Sequence, residues 1–159
     1  MFTPEEAIHE IKKYYDSQDL VSDWFDVNQD AVNQFGESTG DTDWLHTDPE
    51  RAKKESPFGG TIAFGFWTLS TLTALSRQMS GQPYPEHVKY GLNYGFDRIR
   101  FISPVPVGSR IRCKAKLMNI EDRGNQHYLI KTENIIEVEG VDKPAMLAEW
   151  LFMLVYPTE

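Results

Sequence analysis

The longest apolar segment of the chain, residues 62–79, limits its possible folds more than any other feature. Alanine, leucine and small polar residues dominate it. Phe64, Phe66, Trp67, Leu69, Leu72, Leu75 and Met79 spread around most of a helical circumference. A helix that is apolar nearly all round has to be buried. At about 1.5 Å per residue it would run roughly 25 Å, the diameter of a whole domain, with Gly81 as its stop signal. The material that could wrap it follows Pro85, where residues 89–101, 109–123, 126–138 and 143–156 each read as a long strand. Ile111, Cys113, Ala115 and Leu117 alternate with Arg110, Arg112, Lys114 and Lys116, giving one buried and one basic solvent face. Gly124-Asn125 and Glu139-Gly140 are turn signals between strands. Residues 150–155 are apolar on both faces, so that strand is expected to be central or covered on both sides.

The first third of the chain reads as helices and loop. Thr3-Pro4-Glu5-Glu6 is a capping box with proline at the first helical position, and Ile8, Ile11 and Tyr15 recur at helical spacing. A short amphipathic helix over 4–17 is the expectation. Trp24, Phe25 and Val27 suggest a short strand. Asn28 can cap a helix over 29–38 with Ala31, Val32 and Phe35 on its inner face. Residues 39–60 read as irregular apart from a short helix starting at Pro49. With 159 residues and neither an internal repeat nor a linker, the whole of 1–159 is expected to be a single domain, with residues 1–20 as an N-terminal helical extension. The expected class is α+β: one long helix wrapped by a strongly bent antiparallel sheet of about five strands, which is the hotdog fold. Such sheets commonly extend across a dimer.

Composition narrows the function. A net charge of −8 argues against nucleic acid as the main partner, though local basic patches still allow an anionic small ligand. No apolar run reaches the roughly 20 residues of a membrane span. The N-terminus MFTPEEAIHE has no signal-peptide pattern, and the lone Cys113 fits a reducing cytoplasm. Cys113 falls on the buried strand face and reads as packing.

The chemistry-bearing stretch is 35–52, FGESTGDTDWLHTDPERA. Asp41 stands five residues ahead of His46, with Gly40 just before the pair and a helix start, Asp48-Pro49-Glu50, just after it. A glycine turn follows at Gly59-Gly60 and leads through Thr61, Ile62, Ala63 and Phe64 to Gly65. Taken singly, Asp41 reads as a turn or capping carboxylate and His46 as a satisfied core histidine. Together, beside backbone N–H donors at a helix start, they make a kit for adding water to an activated double bond. Asp41, Asp43, His46 and Asp48 match neither EF-hand nor zincin spacing, so they are not read as a metal site. Gly59-Gly60 also reads simply as a tight turn. Ser70, Thr71 and Thr73 either touch ligand or bond backbone carbonyls. Arg98 with Arg100, and Arg51 with Lys53 and Lys54, either meet phosphates or form a solvated basic edge.

These residues carry a likeness over roughly 22–156. Ser38-Thr39-Gly40-Asp41, Leu45-His46, Asp48-Pro49 and Ala52 resemble the hydratase-2 motif of the MaoC-like dehydratases, the R-specific enoyl-CoA hydratases. Ser22-Asp23-Trp24, Trp44-Leu45-His46, Pro49-Glu50-Arg51-Ala52, the 57–63 turn PFGGTIA, Leu92-Asn93-Tyr94-Gly95 and the 104–108 turn PVPVG are similar to the NodN-like branch. The resemblance implies a hotdog homodimer that reversibly hydrates trans-2-enoyl-CoA to (R)-3-hydroxyacyl-CoA without a cofactor. It implies Asp41 and His46 as the water-activating pair and Gly65 as backbone donor to the thioester oxygen. Trp44, Gly60, Ile62, Ala63 and Phe64 would be substrate-binding. Two positions depart from the family: Phe64 stands where histidine is usual, and Asp43-Trp44 where asparagine–proline is usual. An acidic residue beside an enolate-forming site, and an aromatic wall at 64, are the expected consequences. Two other activities share the fold. A thioesterase would want a carboxylate on the central helix, and 63–79 holds no Asp or Glu. A non-catalytic acyl-CoA-binding protein would not call for the Asp41/His46 pair.

Overall fold

The structure, a computed structural model, describes residues 2–16, 20–80 and 84–158. Helix α1 spans Pro4–Asp16. Its capping box is formed as read: the Thr3 N–H donates to the Glu6 carboxylate at 2.8 Å, and the Glu6 N–H to Thr3 Oγ1 at 3.2 Å. Strand β1, Phe25–Asp26, leads into α2, Gln29–Thr39, which Asn28 caps by accepting from the Ala31 N–H. Gly40 closes α2 at φ 76°, a left-handed position that suits glycine. Two short helices follow, α3 at Trp44–Thr47 and α4 at Pro49–Glu55.

The 62–79 expectation needs correcting at its start and in its middle. Ile62 is extended and forms a bridge with Pro106, so the helix begins only at Gly65, after Phe64. It runs as α5, Gly65–Ser70, and α6, Leu72–Ser80, bent at Thr71. The Thr68 hydroxyl donates back to the Phe64 carbonyl at 3.1 Å and the Thr71 hydroxyl to Thr68 at 2.7 Å. Such back-bonding bends helices. Nor is the segment apolar-buried all round, since Phe66 is 68% exposed. Gly81, read as the stop, lies outside the described residues.

The sheet comprises β1 with β2, Tyr90–Phe101, β3, Arg110–Asp122, β4, His127–Val138, and β5, Met146–Val155. Its order is β1-β3-β4-β5-β2 and every pairing is antiparallel. β5, apolar on both faces, lies inside the sheet as expected, and β2 is an edge. The inner face packs on α2, α5 and α6: Val32, Trp67, Leu72 and Leu75 meet Ile111, Cys113, Ile136, Val138, Met146 and Ala148. This is the hotdog arrangement, a helical segment wrapped by a curved antiparallel sheet. Among the described residues no helix is long and apolar enough to cross a membrane.

A second apolar cluster lies under α1, where Ala7 and Ile11 are fully buried against Tyr128, Ile130, Leu154 and Tyr156. Glu10 fastens this seam. It accepts from the Tyr156 hydroxyl at 2.7 Å and lies 2.8 Å from His87 Nδ1. Burial pushes the Glu10 carboxyl up, but the hydrogen bonds from Tyr156 and His87 together outweigh it and hold it below its ordinary 4.5. The hydrogen bond to Glu10 raises His87 above its ordinary 6.5. A raised histidine contributes stability that is full below 6.5 and fades as pH climbs through its raised value. The lowered carboxyl contributes above 4.5 and fades as pH falls through its depressed value. The clasp is therefore strongest between those limits. His87→Gln is expected to lower the melting temperature there and to become indistinguishable from the parent at alkaline pH. Melting curves of both proteins across the pH range check this, and a deficit independent of pH would refute the clasp.

Candidate functional site

The glycine turn is held in place by the backbone. The Ala63 N–H donates to the Val105 carbonyl at 2.8 Å and the Val107 N–H to the Thr61 carbonyl at 3.0 Å, so residues 61–63 run beside the 104–108 turn. The Ile62 N–H donates to the Leu45 carbonyl at 3.2 Å, and the Ile62 carbonyl lies 2.7 Å from His46 Nδ1. Ile62 thus ties the turn to α3 twice, once at Leu45 and once at His46.

That last contact fixes the imidazole. A carbonyl oxygen has no proton to give, so Nδ1 must carry the hydrogen and donate. In the neutral ring Nε2 is then left with its lone pair, the form a general base needs. The backbone around His46 is braced as well. Gln29, at the start of α2, donates to the His46 carbonyl at 2.6 Å and to Asn33 at 2.8 Å, and accepts from the Thr61 hydroxyl at 2.6 Å. One amide side chain therefore links the helix, the histidine and the turn. The Phe64 ring packs on the His46 ring with centroids 4.0 Å apart and a 32° tilt. Thus Phe64 lies against the face of His46 and is itself buried.

A cleft of about 280 Å³ opens beside this group. His46, Ile62, Ala63 and Gly65 line it, together with Thr68 and Phe101. Gly65 is the first residue of α5, and a Cβ there would fall 3.2 Å from the Phe101 ring, so the position suits glycine. Phe64 makes no side-chain cap to α5. The first-turn N–H groups have no partner within the helix and carry its positive dipole end.

The remaining sequence-read residues do not line the cleft. Asp41 is exposed on the loop after α2, where its carboxylate accepts from the Asp43 N–H at 3.4 Å. Trp44 sits under the Arg51 guanidinium, 4.3 Å from ring centroid to carbon, and Arg51 also pairs with Glu55. Gly60 and Phe64 are not among the residues that line it. Asp43 has a structural role: it caps α3, accepting from the Leu45 N–H at 2.8 Å. The hydroxyls of Ser70, Thr71 and Thr73 bond backbone carbonyls.

Gln29 and Gly36 escaped the sequence reading. Gly36 lies inside α2, where a Cβ would come 2.6 Å from the Asp41 carbonyl oxygen and 3.1 Å from the Phe64 ring. The helix, the Asp41 loop and Phe64 meet at that point. A glycine where α2 otherwise presents Val32 and Phe35 inward was the available signal.

Residues 12–139 match the family described as MaoC like domain. The 3-hydroxyacyl-thioester dehydratase Z of Mycobacterium tuberculosis is 47% identical over 128 residues, covering 80% of this chain and 82% of that protein. Nodulation protein N of Rhizobium leguminosarum bv. viciae is 43% identical over 133 residues, covering 84% of this chain and 81% of its own. The solved (R)-hydratase from A. caviae involved in PHA biosynthesis superimposes with a TM-score of 0.68 at 18% identity, covering 88% of this chain and 96% of that one. The fold is shared with that solved structure.

Proposed function

We propose, from the premise that this chain belongs to the MaoC-like dehydratase family, that it adds water reversibly to a trans-2-enoyl-CoA to give an (R)-3-hydroxyacyl-CoA. The family and the named relatives establish the broader class, a hydratase/dehydratase among the lyases. The observation that carries the finer reading is the His46 Nδ1–Ile62 carbonyl contact, which leaves Nε2 as a base in a cleft that also holds Gly65.

In this reading a water is held between the Asp41 carboxylate and His46 Nε2. A proton leaves that water as its oxygen bonds to C3 of the enoyl group, and a proton is delivered to C2. The thioester oxygen carries the negative charge between these events and accepts from the Gly65 N–H. Comparable preset donors are worth roughly 3–4 kcal/mol in the transition state. Ile62 and Ala63 form the wall at the reacting carbons, with Phe64 behind the imidazole and Trp44 and Gly60 at the rim. The steps call for no metal or redox cofactor. The name of the M. tuberculosis relative supports a thioester of a 3-hydroxyacyl group, and the likeness to the A. caviae (R)-hydratase supports the R product. The exposure of Asp41 favours one competitor, a non-catalytic acyl-CoA-binding protein of the same fold. A turnover assay with crotonyl-CoA and longer trans-2-enoyl-CoAs decides between them. Loss of the enoyl absorbance with formation of R product is expected, and tight binding without turnover would establish the competitor.

We infer that residues 1–159 form one such domain with its N-terminal extension, and that two copies pair in the cytoplasm. β2 is an edge strand, and Leu92 is 54% and Tyr94 58% exposed on it, with Tyr90, Phe96 and Phe101 also exposed. An unpaired apolar edge of that length invites a partner strand. Light scattering at micromolar concentration should return twice the 18.3 kDa chain mass. Tyr94→Lys should shift it toward monomer, and a monomeric parent would refute the arrangement.

A further inference from the structure

β4 carries an anomaly. Its inner face reads Ile130, Thr132, Asn134, Ile136 and Val138, all buried, so an alcohol and an amide interrupt an apolar row. Polar groups are retained in such places only when they are bonded. Asn134 is largely bonded, donating to the Thr132 hydroxyl at 2.9 Å and to the Thr132 carbonyl at 3.1 Å. Among the described residues its own oxygen receives only the Cys113 thiol, at 3.8 Å, a weak donor. Opposite Thr132 in the β4–β5 register stands Trp150, 8% exposed, whose indole N–H finds no acceptor among the described residues. A buried donor left this way carries its full desolvation cost.

Trp150, Thr132 and Asn134 line one cavity of about 270 Å³, which shares no residue with the His46 cleft. The two lie along the same bent helix: the cleft touches Thr68 and the cavity Ser76, about 12 Å apart at 1.5 Å per residue. Met79, Leu92 and Phe152 add apolar wall. A concave site that combines apolar wall with buried hydrogen-bonding groups suits a small ligand. We propose that this cavity binds an aliphatic chain bearing a neutral oxygen acceptor, a ketone or hydroxyl, which takes the Trp150 N–H. Arg77, exposed on α6, also lines the cavity, so a carboxylate drawn to its guanidinium is the competing occupant. The neutral acceptor has two possible sources: the oxygenated tail of an acyl thioester, which rests on the hydratase reading, or a separate small molecule.

The test reads the Trp150 indole N–H directly by NMR, its resonance assigned from its absence in Trp150→Phe. Titration with 2-heptanone should move that resonance downfield and saturably. Trp150→Phe should weaken ketone binding by about five- to tenfold, the worth of one neutral hydrogen bond. Thr73→Phe, a change at an exposed position that lines the cavity, should abolish the shift even if Trp150→Phe fails to fold. Preferential turnover of a tail-oxygenated enoyl-CoA over its alkyl counterpart, lost in Trp150→Phe, would identify the substrate tail as the source. Ketone binding without that preference would identify a separate molecule. An indole resonance unmoved by ketone would mean a cavity holding water only and overturn the proposal. Octanoate binding more tightly than 2-heptanone would overturn it as well. The binding arm needs no turnover, so it stands or falls apart from the hydratase reading.

Discussion

Asp41→Asn and His46→Ala are each expected to lower kcat for enoyl-CoA hydration by about 10²–10⁴-fold, the range removed with a general acid–base group, while leaving the melting temperature near that of the parent. Asp41 is exposed and His46 half-buried, so neither substitution opens a large void. Asp43→Asn is the internal control. Asparagine caps a helix as well as aspartate does, so the α3 cap is kept, and removing a charge near an enolate leaves kcat unchanged or raises it. Initial-rate kinetics of the three variants on one substrate check the set. Near-parental kcat in both Asp41→Asn and His46→Ala would sink the catalytic pair. A collapse in Asp43→Asn would move the chemistry to the capping residue.

Gly36→Ala should be the most damaging small change in the molecule. Inside a helix, alanine normally gains about 1 kcal/mol over glycine. Here the added methyl would sit 2.6 Å from the Asp41 carbonyl oxygen, which is backbone, and 3.1 Å from Phe64. Relieving the clash requires moving the Asp41 loop or tilting the ring that packs on His46. Overpacking of this kind costs about 1–3 kcal/mol, enough to reverse the helix preference. A fall in unfolding free energy together with a kcat loss is the expected result, from denaturant melts and rates on the same preparation. Gly60→Ala, with nothing within 4 Å of its added Cβ, should leave stability unchanged. A Gly36→Ala protein more stable than its parent would show that the contact relaxes freely.

The parts of this fold that follow local rules could be read from the chain. The Thr3 capping box, the Asn28 cap, the turns at Gly124-Asn125 and Glu139-Gly140 and the alternation of β3 placed most elements within a few residues. What was missed depended on partners distant in sequence. Apolar content is the same whether Ile62 and Ala63 are extended or helical. Their backbone bonds to Leu45 and Val105 decide the matter, so the helix begins at Gly65. Helix α3 is four residues long, too short to show a period, and its cap Asp43 looked like a charge beside the chemistry. The role of Gln29 exists only once His46 and Thr61 are brought to it. The motif picked out His46, which lines the cleft, and Asp41, which does not, whereas the orientation of the imidazole needed Ile62 in place.

The strand order has a consequence for how the chain reaches this state. β3, β4 and β5 follow one another as hairpin neighbours, while β2, made before all three, pairs only with β5, Tyr90 lying opposite Val155. Sequence-local pairings form readily and distant ones wait on loop closure. During synthesis β2 therefore emerges with its ladder partner still missing, and Leu92, Tyr94 and Phe96 have nothing to lie against. The charges at Asp97, Arg98 and Arg100 interrupt that apolar run and act as gatekeepers against premature strand association. The edge read here as the mating surface between two copies is thus the last part of the sheet to mature. In the proposed dimer, subunit pairing would then wait for β5, and assembly would act as a checkpoint on completion of the sheet.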